Sequence, residues 1–320
     1  MKSHSVEIGG DRLDKYMMQV LGDMTRAQIQ SLIKSQEVFV NKRVVKPSYI
    51  LKDLDVITYN NEISSKSKSQ SESISAEEIN IRIIYEDDSI IVVDKQPGIV
   101  VHPGSGNKTG TLLNGLINKI NVSGFQTNPG IVHRLDKETS GVMVVAKNHS
   151  VHRKISLQFE ERTVNKTYYA FVWGDIDSSG KIEGNIIRKK TDRKSFVMTN
   201  GEGRYSKTTY KKIQNFGPVS YVELKPETGR THQIRVHMKS IGHPIISDSV
   251  YSGGISKIKS FHVKYVPLLK NIMRVIPRVA LHAGKIEISH PANSTRQSYS
   301  ADLPNDMSEA LDILNKYEQV

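Results

Sequence analysis

The sequence predicts an α+β protein made of a small basic module followed by a larger domain, and three observations predict it. Residues 61–78, NEISSKSKSQSESISAEE, are polar, serine-rich and without apolar periodicity. They read as a flexible linker between a module of residues 1–60 and a domain of residues 79–320. In the larger part, helix-spaced and strand-like runs are mixed without strict βαβ alternation. Across the 320 residues, 37% are hydrophobic and 24% charged, which suits a soluble globular chain and argues against wholesale disorder.

In the module, Leu13, Met17, Val20 and Leu21 recur at helical spacing. Thr25 suits the N-cap of a second helix whose apolar face carries Ile29, Leu32 and Ile33. VFVNKRVV then offers two short β-rich runs around Asn41-Lys42, a hairpin signal. Between Thr25 and Lys52 stand Arg26, Lys34, Lys42, Arg43, Lys46 and Lys52 against one acid, Glu37.

The larger domain opens with INIRIIYEDDSIIVVDK, two strands joined by the acidic turn Glu86-Asp87-Asp88. Leu112, Leu113, Leu116 and Ile117 are spaced for a helix. A strand is expected after HRLD, a helix near Ser150–Glu161, and a strand at TYYAFVWG. A basic span runs on to about Lys212, followed by the strand YVELKP, a helical HQIRVHMKSI and an amphipathic closing helix at EALDILNKY.

Composition removes several chemistries. With no cysteine there is no disulfide, thiolate nucleophile or Cys-ligated zinc. No apolar run approaches the roughly 20 residues of a membrane span, and the N-terminus lacks the apolar core of a signal peptide, so a cytoplasmic protein is expected. The phosphate loop, the dinucleotide-binding glycine motif, the H-E-x-x-H zinc motif and the G-x-S-x-G elbow are all missing. His102, His133, His232, His237 and His243 have no acid at ligand spacing, so no metal site is expected. The net charge of +12 fits a polyanion partner or a generically basic protein.

HRLDKETSG, His133 to Gly141, places one carboxylate, Asp136, between Arg134 and Thr139 just before the apolar strand VMVVA. Far along the chain, Arg230 and Arg235 in TGRTHQIRVH are natural partners for it. Beside an arginine a buried aspartate stays ionised. Two readings then stand open: an ion pair that pins two segments, or a nucleophile or base.

The module, with its R-L-D-K start, helix pair and V-x-V-N-x-x-x-V turn, resembles the S4-like α/β RNA-binding module. GIVHRLDKETSGVMVVAK resembles the signature of the RluA-type pseudouridine synthases. VHPGSGNKTGTLLNGL, NKTYYAFVWG, TGRTHQIRVHMKSIGHPI with D-S-V-Y, and L-H-A at Leu281–Ala283 agree in order and spacing. The likeness spans most of the chain and is closest to the RluD-type branch with an N-terminal S4 domain, although the RluC type also carries one. It implies a catalytic domain with a mixed, largely antiparallel central sheet. It further implies isomerisation of uridines to pseudouridine in RNA, with 23S ribosomal RNA or pre-50S particles as partner. A monomer is expected, with no membrane association and no cofactor.

Position by position, the resemblance implies that Asp136 is the catalytic aspartate. Tyr168 would stack on the target uracil, and Arg230 would pair with Asp136. Arg134 would fill the gap left by the everted uridine, and Thr139 is a further substrate-binding candidate. Ile234 or Leu281 would contact the base, and Lys166 would serve as a structural or phosphate contact. By spacing alone Tyr168 alternates with Tyr169, and either could be the inward one. Arg26, Lys34, Lys42 and Arg43 in the module, and Arg188, Lys189 and Lys190 with Arg193 and Lys194, are the RNA-binding candidates; a solvated loop is the alternative for the second group. Two departures stand out: D-K-Q-P-G at Asp94–Gly98 for the family's N-K-P-x-G, and S-D-S-V-Y-S at Ser247–Ser252 for G-D-x-x-Y-G. A non-catalytic RNA-binding ribosome-assembly factor and a hydrolase releasing free base are the competing functions.

Overall fold

The computed structural model describes residues 2–6, 9–21, 24, 26–60, 74–104, 106–120, 130–192 and 194–318. The expected cap Thr25, most of the expected linker (61–73) and Arg193 lie outside them. The described residues form two compact units, one before residue 76 and one from residue 76 onward.

The first unit comprises β1 (Lys2–Ser5), α1 (Leu13–Leu21), α2 (Arg26–Lys34), β2 (Val38–Val40) and β3 (Val56–Tyr59). The strands form an antiparallel sheet in the order β1-β3-β2. Leu13, Met17, Ile29 and Ile33 are buried against Val38, Val40 and Ile57, each such side chain contributing about 1.5–3 kcal/mol. The expected hairpin within VFVNKRVV forms only in part. Asn41 and Lys42 make the turn with φ of 50° and 63°, but Arg43–Val45 add no strand. The Asn41 amide instead binds the Asp55 carboxylate at 2.7 Å and accepts from the Val56 N–H at 2.9 Å, which draws in β3 as the partner of β2. Pro47, without an N–H, limits any extension of the second run.

The second unit begins with the hairpin β4 (Arg82–Glu86) and β5 (Ile90–Lys95), whose turn is closed by Asp87 accepting from the Ser89 and Ile90 amides, both at 2.8 Å. Then follow α3 (Leu112–Leu116), β6 (Ser140–Ala146), α4 (His149–Glu160) and β7 (Asn165–Trp173). The span left as merely basic in the sequence is three strands, β8 (Ser179–Arg188), β9 (Phe196–Thr199) and β10 (Arg204–Asn215). After β11 (Val219–Pro226) come α5 (Gln233–Ser240), α6 (Val266–Val275), β12 (Leu281–Ser289), β13 (Arg296–Ser300) and α7 (Asn305–Glu318).

The sheet runs β4-β5-β6-β12-β7-β11-β10-β8-β9, with β13 also on β12. Among the described residues one pairing is parallel: β6 meets β12 with His282 opposite Ser140 and Ala283 opposite Gly141. The sheet is therefore mixed and largely antiparallel, and the class is α+β. The parallel seam brings the starts of β6 and β12 to the same end of the sheet. On one side of it a core forms around Ile90, Val92, Val144 and Ile155. On the other, Phe171, Trp173, Val222, Met238, Leu269 and Leu314 pack the helices onto β7 and β11. No described helix is long and apolar enough to cross a membrane.

Candidate active site

The charged stretch before β6 is held from below. His133 accepts the Val144 N–H at 3.0 Å and stacks on Phe159 at 4.9 Å between centroids. Burial holds His133 down to about 3, so it serves as a neutral acceptor. Leu135 is buried, and the Asp136 carbonyl accepts from the Thr139 N–H at 3.1 Å. Beneath this turn the buried Lys95 ammonium donates to the carbonyls of Gln96, Ile99 and Lys137 at 2.8, 3.0 and 3.2 Å. At the exit Gly141 has φ of 118°, and a Cβ there would collide with the Ala283 carbonyl. Glycine is what lets β6 approach β12.

The guanidinium that reaches Asp136 belongs to Arg235: its Nη1 donates to Asp136 Oδ2 at 3.2 Å. This corrects the expected pairing with Arg230. Arg235 lies in the buried first turns of α5, whereas Arg230 remains in the preceding turn. There its N–H donates to Gln233 Oε1 at 3.0 Å and its Nε to the Tyr205 carbonyl at 2.9 Å. Behind Arg235 stands Asp248, fully buried, accepting from Nε at 2.7 Å and Nη2 at 2.9 Å. Burial opposes charge on Arg235, but the bonds and charges of Asp248 and then Asp136 outweigh it and raise its proton affinity.

His232, at φ 55°, precedes α5. Its Nε2 lies 3.8 Å from Asp136 Oδ2, and its Nδ1 is 2.7 Å from the Tyr251 hydroxyl. Burial lowers its proton affinity and Asp136 offsets this only in part. Both of these contacts to Asp136 fall on Oδ2.

That cavity, about 600 Å³, is lined by Arg134, Asp136, Thr139, Lys166, Tyr168, Arg230, His232, Ile234, Arg235 and Leu281 among others. It resolves the parity of β7: Lys166 and Tyr168 line it, while Tyr169 packs on Tyr221 at 5.9 Å. Burial and then the charge of Asp136 raise Tyr168 well above the ordinary phenol range, so it stays protonated. Burial alone lowers Lys166 to about 8. Ile234 and Leu281, alternatives in the sequence, both line the wall, and Arg134 is exposed at the rim.

The other candidates are distributed as follows. Arg188 is exposed and its guanidinium lies 5.4 Å from the Phe196 ring centre, with Lys189 and Lys190 exposed beyond it. Phe196 meets His232 edge-on at 5.5 Å, and its N–H donates to the Tyr251 hydroxyl at 3.0 Å, which ties the end of β8–β9 to the site. In the first unit Lys34, Lys42 and Arg43 are exposed. Arg26 is half turned inward: with Arg12 and Gln30 it binds the buried carboxylate of Asp14. His237 is buried between the hydroxyls of Ser206 and Thr208 at 2.8 and 2.9 Å. Among the described residues no group of three His, Asp or Glu is placed to hold a metal.

Asp248 and Tyr251 are not among the candidate residues of the sequence, although D-S-V-Y is one of its matching stretches, and His232 stands there only as a histidine weighed for metal binding. The two serines that replace glycines around it, Ser247 and Ser252, adopt φ of 63° and 68°, the conformation glycine takes freely.

Residues 89–240 match the RNA pseudouridylate synthase family model and residues 11–57 the S4 domain. The "Ribosomal large subunit pseudouridine synthase D" of Pseudomonas aeruginosa is 36% identical over 312 residues, spanning 97% of this chain and 94% of the relative. An "Uncharacterized RNA pseudouridine synthase" of Chlorobaculum parvum is 37% identical over 305 residues, spanning 92% of this chain and 91% of the relative. The solved structure titled "Human RNA Pseudouridylate Synthase Domain Containing 4" superposes with a TM-score of 0.58 at 25% identity, covering 73% of this chain and 93% of that one.

Proposed function

This chain belongs to the RNA pseudouridylate synthase family, and from that premise we propose that it isomerises chosen uridines of 23S ribosomal RNA, free or in pre-50S particles, with Asp136 as the catalytic residue. The chain is an RNA pseudouridine synthase, an isomerase. Residues 1–60 serve as the RNA-docking module, 61–78 as linker and 79–320 as the catalytic domain. The enzyme works as a cytoplasmic monomer.

The reaction breaks the N1–C1′ bond, turns the uracil within the site and joins C5 to C1′; C5 then gives up its proton and N1 takes one, so the net change is an isomerisation and a C5 tritium label is released to solvent. Unlike a glycosidase with two carboxylates and water, it lets the departing uracil return as the nucleophile, so one carboxylate suffices. The observation that carries the reading is the Asp136 carboxylate, held at Oδ2 by Arg235 in the lining of a cavity that Tyr168 also walls. The carboxylate either attacks C1′ or takes a proton from C2′; an ionised carboxylate is required for both. The target base must leave its stack, which costs a few kcal/mol. Stacking on Tyr168 recovers about 1–3 kcal/mol, and Arg134 at the rim occupies the vacated place. Ile234 and Leu281 bound the base. Lys166, a cavity cation without a carboxylate partner among the described residues, takes a phosphate. Arg188, Lys189 and Lys190 meet the backbone beyond the cavity.

Carbodiimide mapping of RNA from cells with and without the protein tests this reading. Loss of particular pseudouridines in large-subunit ribosomal RNA is expected, whereas an unchanged map overturns it.

A further inference from the structure

We infer that the C-terminal helix α7 is a working part of the catalytic centre: through Asp306 and Arg278 it fixes the turn that carries Asp136. The Arg278 side chain is buried, and its Nε and Nη2 fork onto the Asp306 carboxylate at 2.7 and 2.9 Å. The third nitrogen, Nη1, points the other way. It donates to the Glu138 carbonyl at 2.9 Å and lies 3.2 and 3.3 Å from the carbonyls of Val279 and Leu281. The Val279 N–H donates in turn to Glu138 Oε2 at 3.2 Å.

Glu138 is the third residue of the Asp136–Thr139 turn, and Leu281 walls the cavity. One guanidinium thus sets the distance between the carboxylate's turn and the wall the base meets. Its orientation is dictated by a carboxylate in the first turn of α7, a helix seated in the core by Met307, Ala310 and Leu314. A planar guanidinium does this in a way an ammonium does not, because the fork on Asp306 fixes the direction of Nη1. Arg278 and Asp306 are positioning residues: they touch neither base nor sugar.

This inference rests on the reading of Asp136 given above, and the test separates the two. Tritium release from uracil-5-tritiated ribosomal RNA is measured under single turnover, well below the melting temperature, alongside RNA affinity by filter binding. If the unaltered protein releases no tritium, the proposed function fails. If it is active, Arg278→Lys and the milder Asp306→Asn are expected to slow release about 10- to 100-fold, since small misplacements distant from the reacting atoms carry such losses. RNA affinity stays within about twofold, and Asp306→Glu restores part of the rate. Variants that melt earlier but, while folded, release tritium at the unaltered rate overturn the inference.

Discussion

Asp248 takes two donors of Arg235, Nε at 2.7 Å and Nη2 at 2.9 Å, and so leaves Nη1 aimed at Asp136. The pair is buried. Removing one partner of a buried pair leaves a charge uncompensated, at a cost of about 3–5 kcal/mol. Asp248→Ala is therefore expected to lower unfolding stability by that order in urea titration. Arg235→Lys keeps a charge but not the fork, and is expected to lose about 10²-fold in turnover with RNA affinity nearly unchanged. Full turnover in Arg235→Lys would contradict this account.

Lys166 couples stability to function with opposite signs. Burial lowers it to about 8, while an unfolded lysine titrates near about 10.4. Between these values the unfolded chain binds more protons than the folded one, so the Lys166 contribution to stability rises with pH across that window. Lys166→Met removes an ammonium that burial disfavours, and is expected to raise the melting temperature at pH 7 by roughly 2–4 °C. The same variant is expected to weaken turnover, because the phosphate contact is lost. In the unaltered protein that contact fades as pH rises through about 8. A variant equal to the unaltered enzyme in its pH profile would remove Lys166 from the site.

The exposed cations of the first unit are tested by salt. Lys34→Ala, Lys42→Ala and Arg43→Ala are each expected to reduce the slope of log affinity against log salt by about 0.7–0.9 if the residue meets a phosphate. Turnover at saturating RNA should remain. Unchanged slopes would assign these side chains to solvent.

Much of this site was legible in the sequence because its parts sit in short local patterns. HRLDKETSG before an apolar strand marked Asp136, and TGRTHQIRVH marked the arginine segment. What the sequence left open was set by tertiary geometry. Arg230 and Arg235 are five positions apart, and the start of α5 at Gln233 decided which one turned inward. Tyr168 and Tyr169 alternate, and the cores on the two faces of β7 decided the parity. Asp248 lies more than a hundred residues from Asp136, and a through-space bond by way of Arg235 has no signal in local periodicity. The strands β8 and β10 were obscured by their lysines and arginines, of which Lys181, Arg188, Arg204 and Lys211 lie at exposed positions.

The central claim is tested most directly by tritium release from uracil-5-tritiated ribosomal RNA with Asp136→Asn. The amide keeps the shape and can still meet Arg235, but it has neither the charge nor the basicity of the carboxylate. Release should vanish while RNA binding survives. Release at the unaltered rate would contradict the account.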